Sequence, residues 1–185
     1  MSNENEILEL ALTIARQAGE LLMNRPASWD LTVKSTAIDI ATQMDHASEK
    51  LIVDAILAAR PNDGIIGEEG ANRESVSGVT WVIDPVDGTV NYFYGLAGWS
   101  ISIAVKDEKG VFAGVVHSPT THSTWKASRG GGAFLNDVRI ECNNPVELNR
   151  ALLSSGFAYD VAARYEQLKI VNALVPQIRD LRRIG

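Results

Sequence analysis

Asp84 and Asp87 stand three residues apart in the stretch WVIDPVDGTVNYFYG (residues 81–95), and Thr89 follows two residues later. Asp-Pro-x-Asp-Gly is good turn chemistry on its own, because Pro presets φ, Asp bonds its own backbone and Gly accepts φ > 0. A strand over 81–83 feeding such a turn adds something else: a rigid strand end holds side chains to tolerance. A hard cation such as Mg2+ takes oxygen ligands near octahedral geometry, keeps several waters and shares a substrate's phosphate. Asp84, Asp87 and the carbonyl of Val86 offer three such oxygens from one turn. GEEG offers a second source, since Glu68 and Glu69 end another apolar run, GIIG. Of these two, Glu69 reads as a solvated loop carboxylate.

Gly88 and Thr89 sit where the chain turns into a helix, so their N–H groups would face an anion at its start. The Thr89 hydroxyl, with Glu68, would take the proton from a metal-bound water, which makes a nucleophile near neutral pH; two metal ions roughly 3.5–4 Å apart would brace the attacking and leaving oxygens. An EF-hand needs oxygens at alternate positions and Gly at the sixth, and DPVDGTVN has Val at the third and Gly at the fifth, so it fails. A haloacid-dehalogenase-type site needs Asp-x-Asp, and here an extra residue separates the aspartates. SRGGGAF lacks the Lys-Ser/Thr of a P-loop and reads as a tight hairpin. His46, His117 and His122 have no metal-like spacing and read as structural or exposed.

The elements that must position these residues follow from periodicity. Apolar residues from Ile7 to Leu22 recur at helical spacing over about 3–23, with Asn3 and Glu6 as an N-cap pair. A short strand LTVK follows, then a second helix over about 42–60, stopped by Pro61. GIIGEEG, TWVID, WSISIAVK, VFAGVVHSP, TWKASR and AFLND read as strands, with antiparallel hairpins at DEKG and GGG. ALLSSGF reads as a strand, 160–175 as a helix, and 178–184 as the start of the next α/β element. A domain boundary is expected near the turn residues around 143–147, giving 1–143 and 144–185.

The net charge of -6 carries no basic stripe for a phosphate backbone, so no nucleic-acid partner is expected. One cysteine, Cys142, rules out an internal disulfide. MSNENEILEL has no signal-peptide character and no apolar run approaches a membrane span, so a cytoplasmic protein without a membrane partner is expected.

GEEG, WVIDPVDGTVNYFYG and VKSTAIDIATQMD, the last with an Asp-x-x-Thr-x-x-Asp element (Asp39, Thr42, Asp45), together resemble the signature segments of the inositol monophosphatase family. These are lithium-sensitive, Mg2+-dependent phosphatases related to fructose bisphosphatase. The resemblance implies Glu68, Asp84, the Val86 carbonyl and Asp87 as ligands of two or three Mg2+ ions, with Mn2+ as a substitute and Li+ as inhibitor. It implies Thr89 with Glu68 as the water-activating pair, Asp87, Gly88 and Thr89 as phosphate contacts, and Gly185 as a substrate contact. Asp45 would lie near a weaker metal site with Lys34 and Thr42 around it, although Thr42-x-x-Asp45 also reads as a capping box.

The fold implied is α/β with α+β character: a layered α-β-α-β-α sandwich of the sugar-phosphatase type, its C-terminal layer incomplete. The family continues past LRRIG to a Trp-Asp motif that supplies a further metal ligand, so the sequence is expected to be a fragment of a longer protein. The activity implied is hydrolysis of a small phosphate monoester, inositol monophosphate first, by a homodimer. Histidinol phosphatase, bisphosphate nucleotidase and fructose bisphosphatase activities are alternatives. From another class, a catalytically incomplete protein-binding module is open, because some bacterial relatives are partners of the transcription machinery.

Overall fold

The computed structural model describes residues 3–35, 38–143 and 145–183. In chain order its elements are α1 (Asn3–Met23), β1 (Leu31–Val33), β2 (Ile40–Thr42), α2 (Gln43–Ala59), β3 (Gly64–Gly67), β4 (Asn72–Arg73), β5 (Thr80–Asp87) and α3 (Thr89–Phe93). Then come β6 (Ser100–Asp107), β7 (Gly110–Ser118), β8 (Ser123–Ser128), β9 (Gly132–Leu135), β10 (Val138–Ile140), β11 (Leu152–Ser154), α4 (Val161–Leu174) and β12 (Asp180–Arg182). The chain divides into two compact units: one runs to Leu31 and resumes over 41–140, and the other combines Thr32–Ile40 with the residues from Glu141 onward.

The first unit is a sheet of eight strands in the order β10-β9-β8-β7-β6-β5-β3-β4. Every neighbouring pair is antiparallel except β3 and β5, which run parallel from Gly64↔Thr80 to Gly67↔Ile83. The hairpins expected at DEKG and GGG are present as β6–β7 and β8–β9. Ile83, Ile103 and Val115 face each other across three strands, as do Trp81, Val105 and Ala113, and all six are buried. Burial of each large apolar side chain contributes about 1.5–3 kcal/mol. Against this layer α1 lays Ile7, Ala11, Ile14, Ala18 and Leu22, spaced by three or four residues as a helix face requires. The proposed cap on Asn3 falls on a side chain outside the described residues.

At the entrance to β3, Asp63 is 1% exposed and accepts hydrogen bonds from Trp81 Nε1 (2.9 Å) and Ser77 Oγ (2.6 Å), beside an ion pair with Arg60. Burial would raise its pKa, but hydrogen bonds from Arg60, Ser77 and Trp81 outweigh it and hold the carboxyl below the usual range.

Helix α2 opens with a complete capping box. Thr42 Oγ1 accepts from Met44 N at 3.1 Å, and Asp45 Oδ2 accepts from Thr42 N at 2.9 Å. Its buried stripe contains Asp45, Ser48, Glu49, Ile52 and Ile56. Three polar residues in the place of core residues mean that this helix faces something other than oil.

In the second unit β11 and β12 pair in parallel, Leu152↔Asp180 to Ser154↔Arg182, with α4 between them in sequence. Asp160 caps α4 by accepting from Ala163 N at 2.8 Å. This is the strand-helix-strand order expected from ALLSSGF onward. Strands β2, β4 and β10, three or two residues long, were not anticipated; runs so short carry too little periodicity to read. No described helix is long and apolar enough to cross a membrane.

Candidate active site

Residues 84–87, which read as a Pro/Gly turn, prolong the strand instead. β5 continues to Asp87, and the turn chemistry is spent on a bulge: Asp84 pairs with Ser102 and Asp87 with Ser100, so three steps on β5 oppose two on β6. Pro85 has no N–H to give to the ladder and is at home in a bulge. A bulge re-aims the side chains around it. The Asp84 carboxyl accepts from Val86 N at 3.2 Å, and Ser48 Oγ of α2 donates to Pro85 O at 3.1 Å, which ties the bulge to the helix below.

Beyond the bulge, Gly88 takes φ 91° and starts α3. A Cβ there would lie 2.8 Å from Gly98 O, so both conformation and space require glycine. Thr89, 8% exposed, is the first residue of α3. Its hydroxyl lies 2.8 Å from Asp45 Oδ1 and 3.0 Å from Val86 O, two acceptors for one proton. Asp45 therefore serves two roles at once: Oδ2 closes the capping box and Oδ1 reaches Thr89 on another element.

Glu68 follows β3 directly, and its N–H donates to Ile83 O at 3.1 Å, placing it beside Asp84 at the same end of the parallel pair. The two carboxyls share a hydrogen bond, and Asp87 adds a third negative charge. Burial first, then Glu68's charge and hydrogen bond, then Asp87's charge push the Asp84 pKa up to about 8, against the smaller pull of the Val86 N–H.

Glu49 is a residue that the sequence reading missed. It is 6% exposed, and its carboxylate accepts from Glu69 N (2.9 Å) and Ala71 N (3.0 Å), pinning the GEEG loop to α2. Gly67 has no room for a side chain beside it. The signal was present in sequence, since Asp45, Ser48 and Glu49 fall on the same helical stripe as Ile52 and Ile56. Glu69 is not a solvated loop carboxylate: its side chain is 4% exposed and faces His46 Nδ1 at 3.8 Å. The loop folds inward because Glu49 takes its amides.

Of the anticipated residues, Glu68, Asp84, Val86 and Asp87 are gathered at one strand end, and Thr89 with Asp45 adjoins them through Val86 O. Thr42 stands at the N-cap of α2. Lys34 belongs to the second unit, where its N–H donates to Asp39 O at 2.8 Å. Gly185 lies outside the described residues.

Among the described residues, no three acidic, His or Cys side chains form a closed metal cage by themselves. Mg2+ does not require one, because it usually keeps waters and takes one or two carboxylates. The donor set suits such a cation: oxygen only, one carbonyl with a spare lone pair at Val86, and a carboxyl pair that holds a proton where a cation would relieve it.

The profile of the inositol monophosphatase family matches residues 3–185. The chain is 36% identical over 194 residues to the inositol-1-monophosphatase SuhB of Mycobacterium tuberculosis, covering 98% of this chain and 67% of that one. It is also 36% identical over 186 residues to a protein of Pasteurella multocida named Nus factor SuhB, covering 98% and 69%. Among solved structures, an IMPase of Thermotoga maritima superposes with TM-score 0.87 at 32% identity over 97% of this chain and 68% of that one. Sequence motifs, the structural superposition and the family profile agree, and the chain belongs to the inositol monophosphatase family.

Proposed function

We propose that this protein hydrolyses a small phosphate monoester, inositol monophosphate first among them, with the help of Mg2+. Family membership supports phosphatase chemistry in general. The observation that carries the reading is the placement of Glu68, Asp84 and Asp87 at one strand end, next to the Val86 carbonyl and a buried Thr89–Asp45 pair.

Glu68, Asp84, Asp87 and the Val86 carbonyl would hold the cation, with Mn2+ as a substitute. When bound, Mg2+ supplies Lewis-acid polarisation of the phosphoryl oxygens and a more acidic water. The negative charge of this carboxyl cluster would otherwise repel a phosphate, so the site needs that charge inversion before an anionic substrate can enter. Thr89 gives its proton toward Asp45, which leaves a hydroxyl lone pair to orient an attacking water and accept its proton in turn. Glu68 is the second group assigned to this role. Gly88 and Thr89 present the start of α3 to the phosphate, and Gly88 keeps that approach free of a side chain. The reaction is in-line displacement by water, without a phosphoenzyme.

Purified protein should release phosphate from inositol 1-phosphate with Mg2+ and not in the presence of a chelator. A panel with histidinol phosphate, a nucleoside 3′,5′-bisphosphate and fructose 1,6-bisphosphate would order the substrates. Folded, Mg2+-loaded protein inactive on all four would remove the reading. The second reading, a protein-binding module of the transcription machinery, is favoured by relatives named Nus factor. Homodimerisation is compatible with both, and sedimentation would decide it.

A further inference from the structure

The Thr89 hydroxyl is only as well placed as α3, and α3 has five residues. Helices shorter than about 12–15 residues are marginal without external support. Its start is held by Thr89 itself; its far end is held by Arg25, which follows α1 in sequence. Arg25 Nη2 donates to Phe93 O at 2.9 Å and to Tyr92 O at 3.1 Å, two carbonyls in the last turn of α3, the second of which also accepts from Gly95 N at 3.0 Å. A cation at a helix C-terminus also opposes the negative end of its dipole.

The guanidinium is held in turn by rings. Its carbon lies 5.1 Å from the Trp29 centroid and 5.8 Å from that of Tyr92, and Trp29 meets Tyr92 and Phe93 edge-on at 5.6 and 5.2 Å. Tyr92 is fully buried, with its hydroxyl donating to Leu22 O of α1 at 2.7 Å. One helical turn separates this anchor from the site: Tyr92 N donates to Gly88 O at 3.0 Å. Any rotation of Tyr92 and Phe93 is therefore passed to Gly88 and Thr89.

We infer that Arg25 is a positioning residue for the reaction: it clamps the C-terminal end of α3 and so keeps the Thr89 hydroxyl between Asp45 and Val86. This rests on the phosphatase reading for its kinetic consequence, whereas the clamp itself is read independently. In Arg25→Ala, amide exchange at Tyr92 and Tyr94 should accelerate at least about tenfold while amides of Ile103 and Val105 in the sheet stay protected. Turnover should fall about tenfold to a hundredfold in kcat with KM unchanged, the scale expected of a displaced reacting group. Arg25→Lys, which keeps a charge and several donors, should restore most of both. Because the effect acts through Thr89, adding Arg25→Ala to Thr89→Val should cost nothing more.

Unchanged exchange at Tyr92 and Tyr94 overturns the clamp. An Arg25→Ala loss of equal size in the Thr89→Val background, or one confined to KM, overturns its action through Thr89. Wild-type protein that shows no turnover would count against the phosphatase reading alone, and the exchange rates would still decide the clamp.

Discussion

Asp63 stands just before β3 and Asp84 near the far end of β5, so this parallel pair of strands carries a buried or half-buried carboxyl at each end. Their surroundings are opposite. Asp63 meets donors from Arg60, Ser77 and Trp81, and its pKa is lowered. Asp84 meets the carboxyls of Glu68 and Asp87, and its pKa is pushed up to about 8. A carboxyl given donors is part of the framework. One set among other carboxyls, with only the Val86 N–H to offset their charge, is one that a cation would complete. The same contrast recurs on α2, where Glu49 is consumed by two loop amides while Asp45 keeps one oxygen for Thr89.

Mutations should separate the two ends. The largest effect is expected at the acidic end: Asp87→Asn or Glu68→Gln should lower Mg2+-dependent turnover by about a hundredfold or more, the scale of a lost charge-stabilising group. Circular dichroism should report an intact fold. Retained turnover in both would dissolve the site. At the other end, Asp63→Ala should lower stability by about 3 kcal/mol or more, since it strands buried partners. Turnover per folded molecule should be kept, as denaturant melts paired with assays on the folded fraction would show.

Acidity sharpens the contrast, because the signs differ. Asp63 has a lowered folded pKa, so its contribution is complete above the unfolded carboxyl value of about 3.9 and is lost as pH falls through the lower folded one. Asp84 has a raised folded pKa, so its contribution is complete below about 3.9 and is lost as pH rises toward 8. In chelator, Asp63→Asn should therefore flatten the acid limb of the Tm profile below about pH 4, and Asp84→Asn the decline between about pH 4 and 8. Identical profiles for both variants would contradict the contrast. The smallest effect is at Thr89: Thr89→Ser keeps the hydroxyl and should lose only a few-fold in kcat, against a far larger loss in Thr89→Val.

How much of this was legible follows the same physics. Asp84, Asp87, Thr89 and Glu68 could be read because they are close in sequence at strand ends, and Thr42-x-x-Asp45 because a capping box has a fixed spacing. The bulge was not legible, since Pro-x-Asp-Gly signals a turn and only the pairing to Ser100 and Ser102 shows the strand continuing. The second role of Asp45 depends on a contact across 44 residues. Glu69 reads as solvated in the sequence because a loop carboxylate usually is; the buried Glu49 that draws its loop inward lies 20 residues away. Arg25 reads as the residue where a helix ends, and nothing local announces that it grips carbonyls 67 and 68 residues on.

The most direct test is a calorimetric Mg2+ titration of the wild type, Asp84→Asn and Asp63→Asn at pH 7. The account predicts saturable binding in the wild type and in folded Asp63→Asn, and binding at least about tenfold weaker in Asp84→Asn, as expected for a lost ligand. Equal Mg2+ affinity in all three would mean that the carboxyls at the end of β5 are not the cation site.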